Sequence, residues 1–209
     1  MDKIGNINVV VKNGNIAEET ADCIIVPEIN TCASYGGVGY AMKVAGMSAG
    51  LEEYDKKVHA RPLQLGEMLM TDSGKPGVKL AHVATVDAKA ENQFSIVEDA
   101  IYKTLVAANV QKLQHIAMPE LGTGIIGALT QEQSALAIFS AVYKFTTENP
   151  NASIKTISLV VYNASIEPAL KVLKTKAYVK DSRGQTGKKK FRIADWLFGM
   201  RNHGNDVRK

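Results

Sequence analysis

The chain has 209 residues, which suits one α/β domain of ordinary size with an appendage. Its 45% hydrophobic and 22% charged residues are typical of a soluble globular protein. No run approaches the roughly 18 apolar residues that a membrane span needs, and Met1–Ile4 lacks a charged-then-apolar signal region. We therefore expect a cytoplasmic protein without a membrane partner, in which Cys23 and Cys32 are reduced thiols.

The net charge of +4 is concentrated near the C-terminal end. Residues 177–209 carry nine lysine and arginine residues against three aspartates, a net charge of +6 that leaves −2 for residues 1–176. We predict a folded domain over 1–176 and a basic tail over 177–209, with a short helix possible at 191–200. The tail is open to three interpretations: a flexible or crystal-packed extension, a contact for a polyanion such as RNA, and a helix docked on the domain or on a second subunit.

The first half of the chain alternates short apolar runs with turns. The run from Ala21 to Val26 is predominantly apolar and stops at Pro27, which is typical of a central strand covered on both faces. The glycine-rich segment 36–39 leads into a helix-prone stretch that ends at Gly46. Strands are predicted at 8–11, 21–26, 67–71 and 80–86, and a helix at 40–45.

The second half contains the clearest helix, because apolar residues from Ile96 to Ala108 recur on one face with helical spacing. Thr130 and Gln133 have the spacing of a capping box and open another helix, which stops at Asn149-Pro150. Further strands are predicted at 115–119 and 157–162, and a last helix at 166–176. Strands that alternate with helices predict an α/β fold with a largely parallel sheet and crossover helices.

The segment Gly122–Gly127 follows a predicted strand, precedes a helix and fits the pattern G-x-G-x-x-G. Glycines let backbone N–H groups approach a phosphate closely, and a helix N-terminus favours negative charge, so the loop predicts a phosphate site. An NAD-binding unit carries such a loop after its first strand, with an acidic residue about twenty residues later. Here the loop comes late and the next strand ends at Tyr162-Asn163, which disfavours NAD.

Further candidate residues stand at the carboxyl ends of predicted strands, where open α/β sheets bind ligands. Asn15 lies between the first two strands, Asn30 follows the second, Gly36-Gly37 opens a loop before a helix, and Tyr162 ends the last strand. In this order the motifs resemble those of the macro domain family, which binds ADP-ribose and related metabolites.

The resemblance covers roughly residues 4–175. The family's Gly-Asp-Ile matches Gly14-Asn15-Ile16, and its Val-Asn-Ala-Ala-Asn matches Val-Pro-Glu-Ile-Asn at 26–30. Its glycine-rich loop and helix match 36–42, and its diphosphate loop matches Gly-Ile-Ile-Gly at 124–127. The resemblance implies a three-layer α/β/α fold with a mixed, mostly parallel sheet, to which this chain adds a basic C-terminal extension.

The resemblance also implies roles for these residues. Asn15 would accept from the adenine amino group, and Tyr162 would lie against the ring. Residues 124–127 would hold the diphosphate through backbone N–H groups, while 36–38 and Asn30 would contact the distal ribose. The implied ligand-binding residues are Asn15, Ile16, Asn30, Gly36, Gly37, Val38, Gly122, Thr123, Gly124, Ile125, Ile126, Gly127, Tyr162 and Asn163. Several of them also admit a purely structural role, such as a turn, a cap or a strand-end residue. We expect no cofactor and no metal site.

Four departures from the family concern residues with a known role in binding or catalysis there. Asn15 stands where the family has Asp, and Pro27 stands where it has Asn. Gly39 replaces an Asp that helps to activate water in many hydrolytic members, and Ile126 replaces an aromatic residue that commonly covers the distal ribose. The binding residues are thus retained better than the usual catalytic set.

Two acidic residues are candidates for a replacement base, and Asn30 is also predicted as a catalytic residue. Glu28 and Glu120 both stand near the mouths of strands; if these strands are neighbours, the carboxylates approach each other and one pKa is raised. The alternative is that both point to solvent or pair with lysine. His82 and His115 are predicted to be structural, because each stands in an apolar strand.

Three functions follow from these observations. The first is binding of ADP-ribose or a related metabolite in a cleft at the carboxyl ends of the strands. The second is hydrolysis of ADP-ribosyl derivatives: ADP-ribosylated protein, O-acetyl-ADP-ribose or ADP-ribose 1″-phosphate. The third is binding of RNA or poly(ADP-ribose) through the basic tail.

Overall fold

The computed structural model describes residues 2–33, 36–86, 91–124 and 128–179. Its strands are β1 Asp2–Ile4, β2 Ile7–Asn13, β3 Cys23–Glu28, β4 Met68–Asp72, β5 Lys79–Ala84, β6 His115–Pro119 and β7 Thr156–Val161. Its helices are α1 Val38–Val44, α2 Ser48–Ala60, α3 Gln93–Val110, α4 Gln131–Glu148 and α5 Glu167–Thr175, with a short 3-10 helix at Ile16–Glu18. The strands form one sheet in the order β1-β2-β7-β6-β3-β5-β4.

The five central strands run parallel, whereas the edge strands β1 and β4 are antiparallel to their neighbours. The predicted mixed, mostly parallel sheet is therefore confirmed. Since parallel strands all point the same way, their carboxyl ends lie along one edge of the sheet. The loops that carry the predicted ligand-binding residues leave from this edge.

Helices cover both faces of the sheet, which confirms the predicted three layers. Helices α3, α4 and α5 pack on one face, and α1, α2 and the 3-10 helix pack on the other. In β3, Cys23 and Ile25 face the first layer, while Ile24 and Val26 face the second. Burial on both faces explains why this strand is a continuous apolar run instead of an alternating one.

Strand β3 is longer than the sequence predicts, because Pro27 does not end it. Its pairing with β5 continues through Pro27 and Glu28, whereas its pairing with β6 stops at Ile24. Alternate residues of a parallel strand bond to opposite neighbours, and the Glu28 carbonyl accepts from Thr85 on the β5 side. Pro27 therefore faces β6 where that ladder has already ended, and its missing N–H costs no bond.

The helix signals differ in how well they predict the structure. Thr130 and Gln133 form the predicted capping box at the start of α4. Helix α2 is not predicted, because its only large buried side chains are Leu51, Tyr54 and Val58 among 13 residues. Such a sparse apolar stripe gives a weak helical pattern.

The packed part of the chain extends beyond the predicted boundary at residue 176. Tyr178 is 2% exposed, and its ring centroid lies 6.2 Å from that of Phe139 and 5.9 Å from that of Tyr143. The tail from 180 onward, including the possible helix at 191–200, lies outside the described residues. No helix among those described is long and apolar enough to cross a membrane.

Candidate functional site

A cleft of about 540 Å³ opens where β2 and β7 end. Because these strands are parallel neighbours, the residues that follow them meet at one place. The lining residues are Asn13, Gly14, Asn15, Tyr162, Asn163 and Ala164. The structure thus brings Asn15 close to Tyr162 and Asn163, which lie about 150 positions further along the sequence. Asn15 and Tyr162 are the two residues predicted to contact the adenine base.

Tyr162 presents its ring at this cleft and is 70% exposed. The cleft walls are tied together by backbone and side-chain bonds. The Gly14 N–H donates to the Val161 carbonyl at 3.1 Å, and the Asn13 amide donates to the Ala164 carbonyl at 2.7 Å. Asn163 adopts a left-handed conformation with φ of 53°, which turns the chain away directly after the exposed tyrosine.

The side chain of Asn15 is held by two hydrogen bonds. Its Oδ1 accepts from the Ala17 N–H at 3.1 Å and caps the 3-10 helix. Its Nδ2 donates to Oε1 of Glu18 at 3.1 Å. Ile16, the next predicted ligand residue, is 6% exposed and belongs to the core, so a ligand can reach it only through its backbone.

The glycine loop begins where β6 ends. Gly122 has φ of 78°, and a Cβ there would lie 3.0 Å from Cδ1 of Leu129, so only glycine fits. A Cβ on Gly124 would meet no atom of the described residues within 4 Å. The Thr123 hydroxyl points back to the Glu120 carbonyl at 3.4 Å. Residues 125–127, which hold the predicted ligand residues Ile125, Ile126 and Gly127, lie outside the described residues.

Gln93 lies beneath this loop and was missed by the sequence reasoning. Its side chain is 5% exposed, its Nε2 donates to the Thr85 carbonyl at 2.5 Å, and its Cγ lies 3.5 Å from where a Cβ on Gly122 would stand. Gln93 therefore supports the loop from below. A single glutamine at the start of a helix carries no sequence signal that reveals this contact.

The second glycine-rich loop leads into α1. Gly36 and Gly37 are exposed, and within the described part of the chain a Cβ on either would meet no atom within 4 Å. Gly37 has φ of 52° at the N-cap, whereas Val38 packs its side chain against the core. Their backbone is thus what this loop can offer a ligand. Gly39 is buried within α1.

The loop after β3, which carries Asn30, is fixed onto α2 and the segment that follows it. The Asn30 amide donates to the Leu63 carbonyl at 3.1 Å, and the Leu63 N–H donates to the Asn30 carbonyl at 3.0 Å. The Tyr54 hydroxyl donates to the Ile29 carbonyl at 2.8 Å, and Asp55 accepts from the Ala33 N–H at 2.9 Å. Asn30 is therefore positioned by contacts that the motif itself does not contain.

Glu28, which was predicted as a catalytic residue, lies in a buried cluster of side chains. Its side chain has no exposed surface, and its Oε1 lies 2.9 Å from Nδ1 of His82. The other ring nitrogen of His82 lies 2.9 Å from the Thr71 hydroxyl, and the Tyr54 ring stacks on the imidazole at 4.5 Å. Burial lowers the pKa of His82 to about 3, so the neutral ring donates to Glu28 and accepts from Thr71.

Glu120 has different surroundings, although its strand is the neighbour of β3 as predicted. Its half-buried carboxylate accepts from Nε2 of Gln131 at 3.2 and 3.1 Å. Burial raises the pKa of Glu120, and the bond from Gln131 opposes that rise. Glu28 is thus bonded to His82, and Glu120 to Gln131.

The remaining candidates have structural surroundings. His82 and His115 are held by side-chain partners, as predicted, since the His115 ring lies 2.8 Å from the Ser158 hydroxyl. Cys23 and Cys32 are free thiols, and burial raises the pKa of Cys23 to about 12. In the part of the chain that is described, no group of three or more His, Cys, Asp or Glu side chains is arranged to hold a metal ion.

Comparison with known proteins identifies related chains and folds. A family model described as Macro domain matches residues 16–137. An uncharacterized protein of Sulfolobus acidocaldarius is 30% identical over 162 residues, which cover 77% of this chain and 87% of that protein. An uncharacterized protein of Thermotoga maritima is 30% identical over 155 residues, which cover 71% of this chain but only 25% of the relative.

Solved structures share the fold at low sequence identity. The Oceanobacillus iheyensis macrodomain with ADP has a TM-score of 0.71 and 19% identity, with 87% of this chain and 97% of that chain covered. The Trypanosoma brucei macrodomain in complex with ADP-ribose has a TM-score of 0.65 and 16% identity, with 81% and 69% covered. Both likenesses extend over most of the chain.

Proposed function

Because the chain belongs to the macro domain family, we propose that it binds ADP-ribose or a related ADP-ribosyl metabolite at the carboxyl edge of its parallel strands. The observation that carries the proposal is the order of the candidate residues along that edge. The sheet order β2-β7-β6-β3 puts the cleft with Tyr162 first, the loop from Gly122 second and Asn30 third. Base, diphosphate and distal ribose follow one another in the same order in ADP-ribose.

The dimensions of this edge support the proposal. Neighbouring strands are about 4.8 Å apart, so the three steps from β2 to β3 span roughly 14 Å. An extended nucleotide sugar would lie across these strand ends with its base in the cleft beside Tyr162, where stacking on an aromatic ring contributes about 1–3 kcal/mol. The Oceanobacillus iheyensis and Trypanosoma brucei structures of this fold, solved with ADP and ADP-ribose, support the same assignment.

The roles follow from the chemistry of each segment. Asn15, Tyr162 and Asn163 surround the base, and the backbone N–H groups of 122–127 hold the diphosphate. The backbone of 36–38, with Asn30 beside it, contacts the distal ribose. On the basis of the composition of the chain, we also propose that the protein acts in the cytoplasm.

Binding without hydrolysis agrees best with the side chains expected near the distal ribose. Gly39 has no side chain to act as a base, and the side chain of Glu28 is fully buried, out of contact with solvent. An ADP-ribosyl hydrolase would therefore depend on Glu120, whose pKa is raised by burial. Release of ADP-ribose from a modified protein, and its loss in Glu120→Gln, is the test of that alternative.

Titration calorimetry with ADP-ribose tests the proposal. We expect saturable one-to-one binding, and we expect Gly124→Val to weaken it at least about tenfold while leaving Tm unchanged. A Cβ on Gly124 would meet no atom of the described residues within 4 Å, so we expect the added side chain to fill space that the diphosphate needs.

The control is Thr147→Val, a substitution of similar shape on the exposed face of α4 near its C-terminal end, far from the glycine loop at the other end of the helix. This variant should bind ADP-ribose as the parent chain does. A folded parent chain that gives no heat with millimolar ADP-ribose would refute the proposal.

A further inference from the structure

The cleft at the ends of β2 and β7 is lined by neutral groups. Three asparagines, Asn13, Asn15 and Asn163, surround the ring of Tyr162, together with Gly14 and Ala164. A 70% exposed aromatic ring beside hydrogen-bonding amides suits a planar heteroaromatic base, which stacks on the ring and presents its polar edge to the amides. Among the described residues, no charged side chain lines the cleft, so the amides decide which base edge is accepted.

The amide of Asn15 has one orientation. Its Oδ1 faces the N–H of Ala17, and its Nδ2 faces the carboxylate of Glu18, each at 3.1 Å. Reversing the amide would set a donor against a donor and an oxygen against a carboxylate. Both contacts would be repulsive, so the local chain determines which way the amide points.

Each half of this amide has bonding capacity left over. An asparagine side chain has two N–H donors on nitrogen and two lone pairs on oxygen. Asn15 uses one of each for Glu18 and Ala17, and thus keeps one donor and one acceptor for a ligand. A carboxylate at this position would offer acceptors alone.

We infer that Asn15 makes this cleft tolerant of the exocyclic group of a purine, so that guanine and hypoxanthine nucleotides bind as well as adenine nucleotides. Adenine carries an amino donor at its sixth position, where guanine and hypoxanthine carry an oxygen acceptor. The free N–H of Asn15 can donate to the oxygen of guanine or hypoxanthine, and its amide oxygen can accept from the amino group of adenine. A side chain with acceptors alone, such as a carboxylate, would repel the oxygen of guanine or hypoxanthine, and these bases would then bind poorly. This inference rests on the proposed function, in which the glycine loop binds the diphosphate.

The test compares ADP-ribose with its guanine and hypoxanthine analogues, which differ only in the base, by calorimetry. In the parent chain we expect the three dissociation constants to agree within about tenfold. We then expect Asn15→Asp to shift the preference toward ADP-ribose by at least about tenfold, which corresponds to about 1.4 kcal/mol. Asn15→Asp is made together with Glu18→Gln, so that two carboxylates do not face each other, and Glu18→Gln alone is its reference.

A matched control separates base selectivity from charge. Asn163→Asp adds one negative charge to the same cleft at a left-handed position that aspartate tolerates. It should weaken all three ligands by a similar factor and leave their ratios unchanged.

The outcomes distinguish the inference from the proposed function. ADP-ribose bound with no detectable binding of the two analogues would overturn the inference alone. Unchanged ratios in the Asn15→Asp variant would overturn the role of Asn15. Failure of the parent chain to bind ADP-ribose itself would overturn the proposed function, and the inference with it.

Discussion

Glu28 and Glu120 carry the same carboxylate at the ends of neighbouring strands, yet the fold gives them opposite surroundings. Glu28 is fully buried against His82, whereas Glu120 is half-buried and bonded to Gln131. A buried carboxylate is stable only with partners that satisfy its oxygens, and His82 supplies one of them. Glu28 is therefore part of what holds the strand ends together, and Glu120 is the acid that solvent reaches.

The buried imidazole of His82 predicts a pH dependence of stability. Burial lowers its pKa from 6.5 to about 3, so the unfolded chain takes up the proton first as the pH falls. The stabilisation from the neutral ring is complete above pH 6.5 and is lost as the pH falls toward 3, at up to about 1.4 kcal/mol per pH unit. Urea unfolding between pH 7.5 and 4 measures this loss.

Other groups also titrate in this range, so His82→Gln is the reference for the prediction. Glutamine keeps hydrogen-bonding atoms at this position but has no proton to take up. The variant should be less stable at pH 7.5, and its stability should fall less steeply below pH 6.5. A His82 NMR signal that titrates near pH 6.5 in the folded protein would contradict the prediction.

At the scale of elements, α2 holds in place the loop that follows β3. Tyr54 stacks on His82 and holds the Ile29 carbonyl, and Asp55 holds the Ala33 N–H. The loop that carries Asn30 thus depends on a helix with a weak sequence pattern. Its close packing on β4 and β5 requires Gly50, where a Cβ would lie 2.8 Å from Cδ1 of Leu80.

We predict that Gly50→Ala destabilises the protein by about 1–3 kcal/mol. Alanine favours a helix over glycine by about 1 kcal/mol, but the added Cβ would also lie 2.9 Å from the Asp72 carbonyl oxygen, and backbone of the sheet cannot easily move aside. The overpacking therefore outweighs the gain in helix propensity. Chemical denaturation compares this variant with Glu52→Ala on the exposed face of the same helix, which should change stability by less than about 0.5 kcal/mol. An unchanged or higher stability of Gly50→Ala would contradict the prediction.

At the scale of the whole molecule, Tyr178 packs into the core of the folded domain. Truncation after residue 179 should keep Tm and ADP-ribose binding, whereas truncation after 176 removes a buried ring from Phe139 and Tyr143. The loss of a buried aromatic side chain costs about 3 kcal/mol, so the shorter chain should melt at a clearly lower temperature. Equal melting temperatures would show that Tyr178 contributes nothing to the core.

The same truncation after 179 tests the basic tail. Contact with RNA or poly(ADP-ribose) through 177–209 stays a prediction, based on its charge of +6. If it holds, the full chain is retained on immobilised RNA at low salt and the truncated chain is not. Equal retention of both chains would exclude the tail as the contact.

The sequence alone determined the fold class, and it predicted the main segments of the candidate site. Alternating strand and helix patterns predicted the parallel sheet, and the capping box at Thr130 predicted the start of α4, because both depend on local periodicity and hydrogen bonding. The positions of Asn15, Asn30, Tyr162 and the glycine loops followed from the rule that parallel strands place their carboxyl ends on one edge.

Only the tertiary structure decided what those residues can do. It set Pro27 on the side of β3 where the ladder with β6 has ended, and it paired Glu28 with His82, 54 positions away. These outcomes depend on which neighbour a side chain meets, and that is decided by strand order and packing across the sheet instead of by the pattern within any one segment.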